Sequence, residues 1–126
     1  MKTRLSVVAP DLEGLLCGAS AAARAEIAAA VSQLALHLCG VPLPSHVALT
    51  STEEAYATEL DEEYFSLSEK GDAASHQVFC AARAVSSAAF ARSGQCEDAV
   101  YEAIIATGDP ESVRQKIVSR LGAKVI

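Results

Sequence analysis

The sequence predicts an all-α protein, a compact single-domain bundle of about five to six helices over residues 1–126. Three observations support this. Ala fills 25 of the 126 positions, and about half of all residues are apolar. Gly, Pro, Ser and Asp divide the chain into helix-length segments. Within these segments apolar residues recur every three or four positions, without the alternation typical of strands.

The first two helices are predicted from their end signals. Pro10 can occupy the first position of a short helix that ends near Gly18, since Pro is favoured there. Ser20 can cap a second helix that runs to Cys39 and stops at Gly40. One apolar stripe follows this second helix: Ile27, Val31, Leu34 and Leu38.

A capping-box spacing predicts the start of the third helix. Ser51 and Glu54 can serve each other's backbone amides, so the helix should run from about Ser51 towards Tyr64. After a break at 70–72, a long helix is predicted from about Asp72 to Ser93. Its expected core stripe consists of Val78, Ala82, Val85 and Ala89, flanked by Phe79 and Phe90.

Two further helices complete the chain. The fifth is predicted over about 97–107 and is ended by Gly108. Asp109 as a cap and Pro110 as the first helical residue begin the last helix, which should stop at Gly122. Two short terminal segments could be extended instead: Leu5–Val8 and Ala123–Ile126.

The start of the chain only briefly imitates a signal peptide. Two basic residues precede an apolar run, but Pro10, Asp11 and Glu13 interrupt it. The longest weakly charged stretch, Ile27–Thr52, contains helix breakers and is too polar for a bilayer span. We therefore expect a cytoplasmic protein, without a membrane partner, whose four cysteines are reduced.

The uneven placement of charge is the most informative feature for function. Residues 53–72, the acidic window, contain eight carboxylates and one lysine, whereas the rest of the chain has a slight basic excess. Three of the six aromatic residues also lie in this window. Carboxylates can steer a basic protein partner and aromatic side chains can anchor it, whereas an acidic total disfavours nucleic acid. The candidate contact residues are Glu54, Asp61, Glu62, Glu63, Tyr64 and Phe65.

Two other interpretations of the acidic window stay open. It could be an ordinary solvated face, with Tyr56, Leu60 and Tyr64 turned towards the core at helical spacing. The run Asp61–Glu63 could also offer oxygen ligands to a hard cation, although the window lacks the Asp, Asn and Gly pattern of a calcium loop.

Histidine and cysteine give no clear metal or catalytic motif. His76 and Cys80 lie four residues apart on one helix, and a second cluster surrounds Gly40: His37, Cys39 and His46. Neither has the spacing of a structural zinc site, so no metal or cofactor is predicted. Phosphate-binding loops and nucleophile elbows are also absent, which predicts that the protein is not an enzyme. A small metal-dependent enzyme remains the third interpretation.

Part of the chain resembles a known class of proteins. The Ala-rich segment from Ala81, the stretch Glu97–Ala103 and the triplet Asp109–Glu111 together resemble small acidic immunity proteins of bacterial polymorphic toxin systems. The resemblance implies a cytoplasmic, non-catalytic helical protein that binds one toxin domain, often a nuclease with a basic active site. The alternative is a helical adaptor or chaperone-like module, which could form a homodimer through its Ala-rich faces.

Overall fold

The computed structural model describes the backbone of residues 4–40 and 52–125, and the side chains of residues 4–40 and 57–121. Within these ranges the chain forms seven α-helices and no strand, which confirms the predicted all-α bundle. The helices are α1 Arg4–Val8, α2 Pro10–Cys17, α3 Ala21–Leu38, α4 Thr52–Glu69, α5 Ser75–Arg92, α6 Cys96–Thr107 and α7 Pro110–Val125.

Local end signals determine several helix boundaries as predicted. The Ser20 hydroxyl accepts a hydrogen bond from the Ala23 amide at 3.1 Å at the start of α3. Pro10 begins α2. Gly108 ends α6 in the left-handed conformation, with φ of +63°. An Asp109 carboxylate oxygen then accepts the Ser112 amide at 3.1 Å and so caps α7.

The expectations for the two chain ends were wrong. Leu5–Val8 belongs to helix α1, because the almost fully buried Leu5 attaches this turn to the core. Helix α7 continues through Gly122 to Val125, since an isolated Gly weakens a helix by only about 1 kcal/mol and no proline follows it. Ser51, the predicted start of the third helix, lies outside the described residues, and α4 extends past Tyr64 to Glu69.

All seven helices contribute to one cluster of buried apolar residues. Helix α3 packs against α5, α6 and α7, α5 packs against both α4 and α6, and the short α1 and α2 pack on α6. Small side chains fill much of the interior, and four alanines on α5 and α6 are fully buried: Ala82, Ala84, Ala99 and Ala103. The high Ala content therefore allows close helix packing. No helix in the described part of the chain has both the length and the apolar composition needed to span a bilayer.

We expect Gly108→Ala to lower the free energy of unfolding by about 1 kcal/mol, because an L side chain is strained at positive φ. The measurement is urea denaturation followed by circular dichroism. Gly14→Ala in α2 is the matched control, since its new methyl group would meet no atom within 4 Å and the helix should gain stability. If both substitutions raised the free energy of unfolding equally, Gly108 would not be required for its positive φ at the end of α6.

Candidate functional site

Helix α4 carries most of the acidic window and packs along α5. It contains seven carboxylates and no Lys or Arg. Among its described side chains, Ala57 and Leu60 are buried. The chain then turns through Gly71, at φ of +70°, and Asp72, whose carboxylate accepts the Ala74 amide at 2.9 Å. This turn places α4 and α5 side by side.

The side of α4 that faces solvent is both acidic and aromatic. We define the outer face of α4 by its exposed acidic and aromatic residues: Glu59, Glu62, Glu63, Phe65 and Glu69. None of these four glutamates has an ion-pair partner among the described side chains. Like charges three or four residues apart destabilise a helix by a few tenths of a kcal/mol per pair. A cationic partner would relieve this repulsion.

The two predicted aromatic residues lie in different environments. The Phe65 side chain is 63 % exposed, whereas Tyr64 is half-buried. The Tyr64 ring contacts Phe65 and also Phe79 of α5, at centroid distances of 5.4 and 5.3 Å. The Tyr64 ring therefore joins α4 to α5 and packs against one side of the Phe65 ring. The exposed part of Phe65 is available to a partner.

Asp61 has a partner within the protein. Its two carboxylate oxygens accept hydrogen bonds from Nη2 of Arg83 at 2.8 and 2.9 Å. The Glu54 side chain lies outside the described residues. Of the predicted contact residues, the structure places three on the outer face of α4: Glu62, Glu63 and Phe65.

A cluster of charged residues around the buried Glu102, which sequence reasoning did not predict, joins α1, α4, α5 and α6. The Glu102 carboxylate on α6 is only 2 % exposed and accepts hydrogen bonds from Nη1 of Arg83 and Nη1 of Arg4, both at 3.2 Å. Arg4 also donates to Asp98 at 3.1 Å and lies over the Tyr101 ring, 4.4 Å from its centroid. We call these five charged residues the Glu102 network: Arg4, Asp61, Arg83, Asp98 and Glu102.

One flank of α5 carries three polar residues at helical spacing: His76, Arg83 and Ser87. Only His76 is exposed. Ser87 is fully buried and its hydroxyl donates to the Ala99 carbonyl at 2.6 Å, while Arg83 is held in the Glu102 network. Both side chains therefore join α5 to its neighbours.

The cysteines and histidines form no group of three or more metal ligands within the described residues. His76 Nε2 and Cys80 Sγ are 3.7 Å apart, and Cys39 Sγ donates to the Ala106 carbonyl at 3.5 Å. His46 lies outside the described residues. Burial raises the pKa of Cys39 and Cys80, and that of Cys96 to about 11, so these thiols are protonated and weakly nucleophilic at neutral pH.

Comparisons with known proteins give no functional assignment. No protein-family model, curated protein or solved structure matches this chain.

Proposed function

We propose that this protein is an immunity protein that binds and neutralises a toxin domain through the outer face of α4. The observation that carries the proposal is a set of exposed carboxylates around an exposed phenylalanine, and the described side chains offer these carboxylates no ion-pair partner. The resemblance of the Ala81–Ile117 region to immunity proteins suggests the class of partner. The proposed contact residues are Glu59, Glu62, Glu63, Phe65 and Glu69.

The charges and the ring have separate roles in this proposal. Carboxylates on one face attract a basic surface and raise the rate of association, an effect that weakens as salt screens the charges. Aromatic residues at the centre of an interface contribute much of the affinity when they are buried. Phe65 is the exposed aromatic residue among the described side chains of α4, so it is the natural anchor. Binding of this kind requires no metal, cofactor or catalytic group.

A second candidate is the helical adaptor or chaperone-like module, which would include a self-associating form. Exposed apolar side chains on other helices favour it, notably Val7 and Val8 on α1 and Leu15 on α2. Burial of apolar surface responds little to moderate salt, whereas charge-steered binding weakens. The salt dependence of binding therefore separates the two candidates.

We expect Glu62→Lys to lower the affinity for the partner about tenfold, because it places a cation against a basic surface. The purified protein serves as bait in an affinity capture from lysate of the native cells at low and high salt, and the captured partner is then titrated in purified form. Glu13→Lys on α2 is the matched control, since it changes the net charge equally but lies off α4. Asp61 is left intact because a lysine there would oppose Arg83.

A single partner retained by wild type and by the Glu13 variant, released by high salt and weakened by Glu62→Lys, would support the proposal. Equal affinity of all three proteins for the partner would place the interface elsewhere. Capture that persists at high salt would favour the adaptor.

A further inference from the structure

We propose that Arg83 is a positioning residue, which holds the outer face of α4 in place through Asp61 and is itself held by Glu102. The inference rests on the proposed function, since it concerns the helix that would bind the partner. None of the three residues belongs to the outer face.

The two ends of the Arg83 guanidinium bind carboxylates from two different helices. Nη2 donates to both oxygens of Asp61 on α4, at 2.8 and 2.9 Å. Nη1 donates to both oxygens of Glu102 on α6, at 3.2 and 3.4 Å. A planar guanidinium can satisfy two carboxylates in this forked manner, whereas the single ammonium of lysine cannot reproduce the geometry. Arg83 therefore links α4 through α5 to a buried charge on α6.

The Nε atom of Arg83, which makes no hydrogen bond to the described residues, indicates that the two carboxylates determine the position of this side chain. Its Nε is buried and has no hydrogen-bond partner among the described residues. A buried donor without an acceptor is unfavourable, so the side chain gives up one hydrogen bond while making four with the two carboxylates. The carboxylates, and not the satisfaction of every donor, therefore determine where the guanidinium lies.

Helix α4 also packs against α5 through other contacts, and this helix pair is among the most closely packed in the described structure. Ala57 and Leu60 are buried, and the Tyr64 ring contacts Phe79. Beside Asp61, a groove of about 260 Å³ separates α4 from α5, lined by Ala57, Thr58, Asp61, Ser86, Ala89 and Phe90. Close packing of the two helices is interrupted at this groove, and the Asp61–Arg83 ion pair joins α4 to α5 there.

The position of Asp61 explains why its ion pair would matter for binding. It directly precedes Glu62 and Glu63 on the same helix, so a rotation or shift of α4 after loss of the pair would turn these carboxylates and Phe65 away from their present directions. Affinity would then fall although no contact residue had changed.

The test measures amide hydrogen exchange in the free protein, where no partner is needed. We expect Asp61→Asn to accelerate exchange over residues 57–69 roughly three- to tenfold, because a partly buried forked ion pair is lost, while amides of α3 and α6 stay protected. Glu62→Gln is the matched control. It removes one carboxylate from the adjacent position, which has no ion pair among the described residues, and should leave exchange at the wild-type rate or slow it.

Arg83→Lys provides a second variant that keeps the positive charge. We expect it to accelerate exchange in α4 as Asp61→Asn does, because lysine cannot hold both carboxylates. Wild-type exchange in α4 of both variants, or equal acceleration in α3, α4 and α6, would overturn the positioning role. The exchange result does not depend on partner capture. If Glu62→Lys left the affinity for the partner unchanged while α4 exchanged faster in Asp61→Asn and Arg83→Lys, the proposed function would be contradicted and the positioning role of Arg83 would stand.

Discussion

Glu102→Ala is expected to lower the free energy of unfolding by about 3 kcal/mol, because it removes the carboxylate shared by two arginines. Breaking a buried ion pair from one side is destabilising by about 3–5 kcal/mol, since the remaining charge is left without a partner. The lower end applies here, because the side chains of Arg83 and Arg4 are 22 % and 48 % exposed and regain some contact with water. Urea denaturation with equal m-values for wild type and variant gives the difference.

A second glutamate offers a matched control for this prediction. Glu111 pairs with Arg114 at 2.7 Å, but its side chain is 61 % exposed. We expect Glu111→Ala to change stability by less than about 0.5 kcal/mol, as exposed pairs usually do. If Glu102→Ala were no more destabilising than Glu111→Ala, the Glu102 network would not be a stabilising part of the fold.

Leu12→Ala is expected to lower the free energy of unfolding by a similar amount, about 3 kcal/mol. Leu12 is fully buried on α2, and truncation of a buried leucine loses apolar burial and leaves a cavity. Leu15 lies on the same helix but is 40 % exposed, so Leu15→Ala should be destabilising by less than about 1 kcal/mol. Thermal and urea denaturation of the two variants compare them directly. Similar losses would mean that α2 does not pack on the core through Leu12.

The helices that could be predicted were those with local end signals. Ser20, Gly108 and Asp109 mark their boundaries by short-range hydrogen bonds or backbone conformation, which a sequence pattern can reveal. Helix α1 has only five residues and is too short to be stable alone. Its structure depends on burial of Leu5 and on the ion pairs of Arg4 with residues far along the chain. No local pattern predicts such a helix.

The acidic character of the candidate site could be predicted from the sequence. Which of its residues face solvent and which pair within the protein could not. The acidic window could be recognised from composition, and Glu62, Glu63 and Phe65 are exposed as a contact surface requires. Asp61 belongs to the same sequence run but pairs with Arg83 on the next helix. Whether Asp61 reaches Arg83 depends on how α4 and α5 are rotated relative to each other, and tertiary packing determines that rotation.

Glu102 was missed because its neighbourhood in the sequence offers no cation. Its partners lie 19 and 98 residues away, on α5 and α1. One signal was present in the sequence: Glu102 is next to Ala103 and three positions after Ala99, two small apolar residues that are buried in the structure. A carboxylate at such a position requires a buried cation or hydrogen-bond donor. That condition could have been stated from the sequence, but not the identity of Arg83 and Arg4.

The proposed interface is the outer face of α4, which would contact a basic partner. Its most direct test is hydrogen exchange of the complex with the captured partner, compared with the free protein. We expect slower exchange over residues 58–69 in the complex, and no such protection on the Leu15 side of α2. Unchanged exchange in α4 together with protection of another helix would contradict this interface.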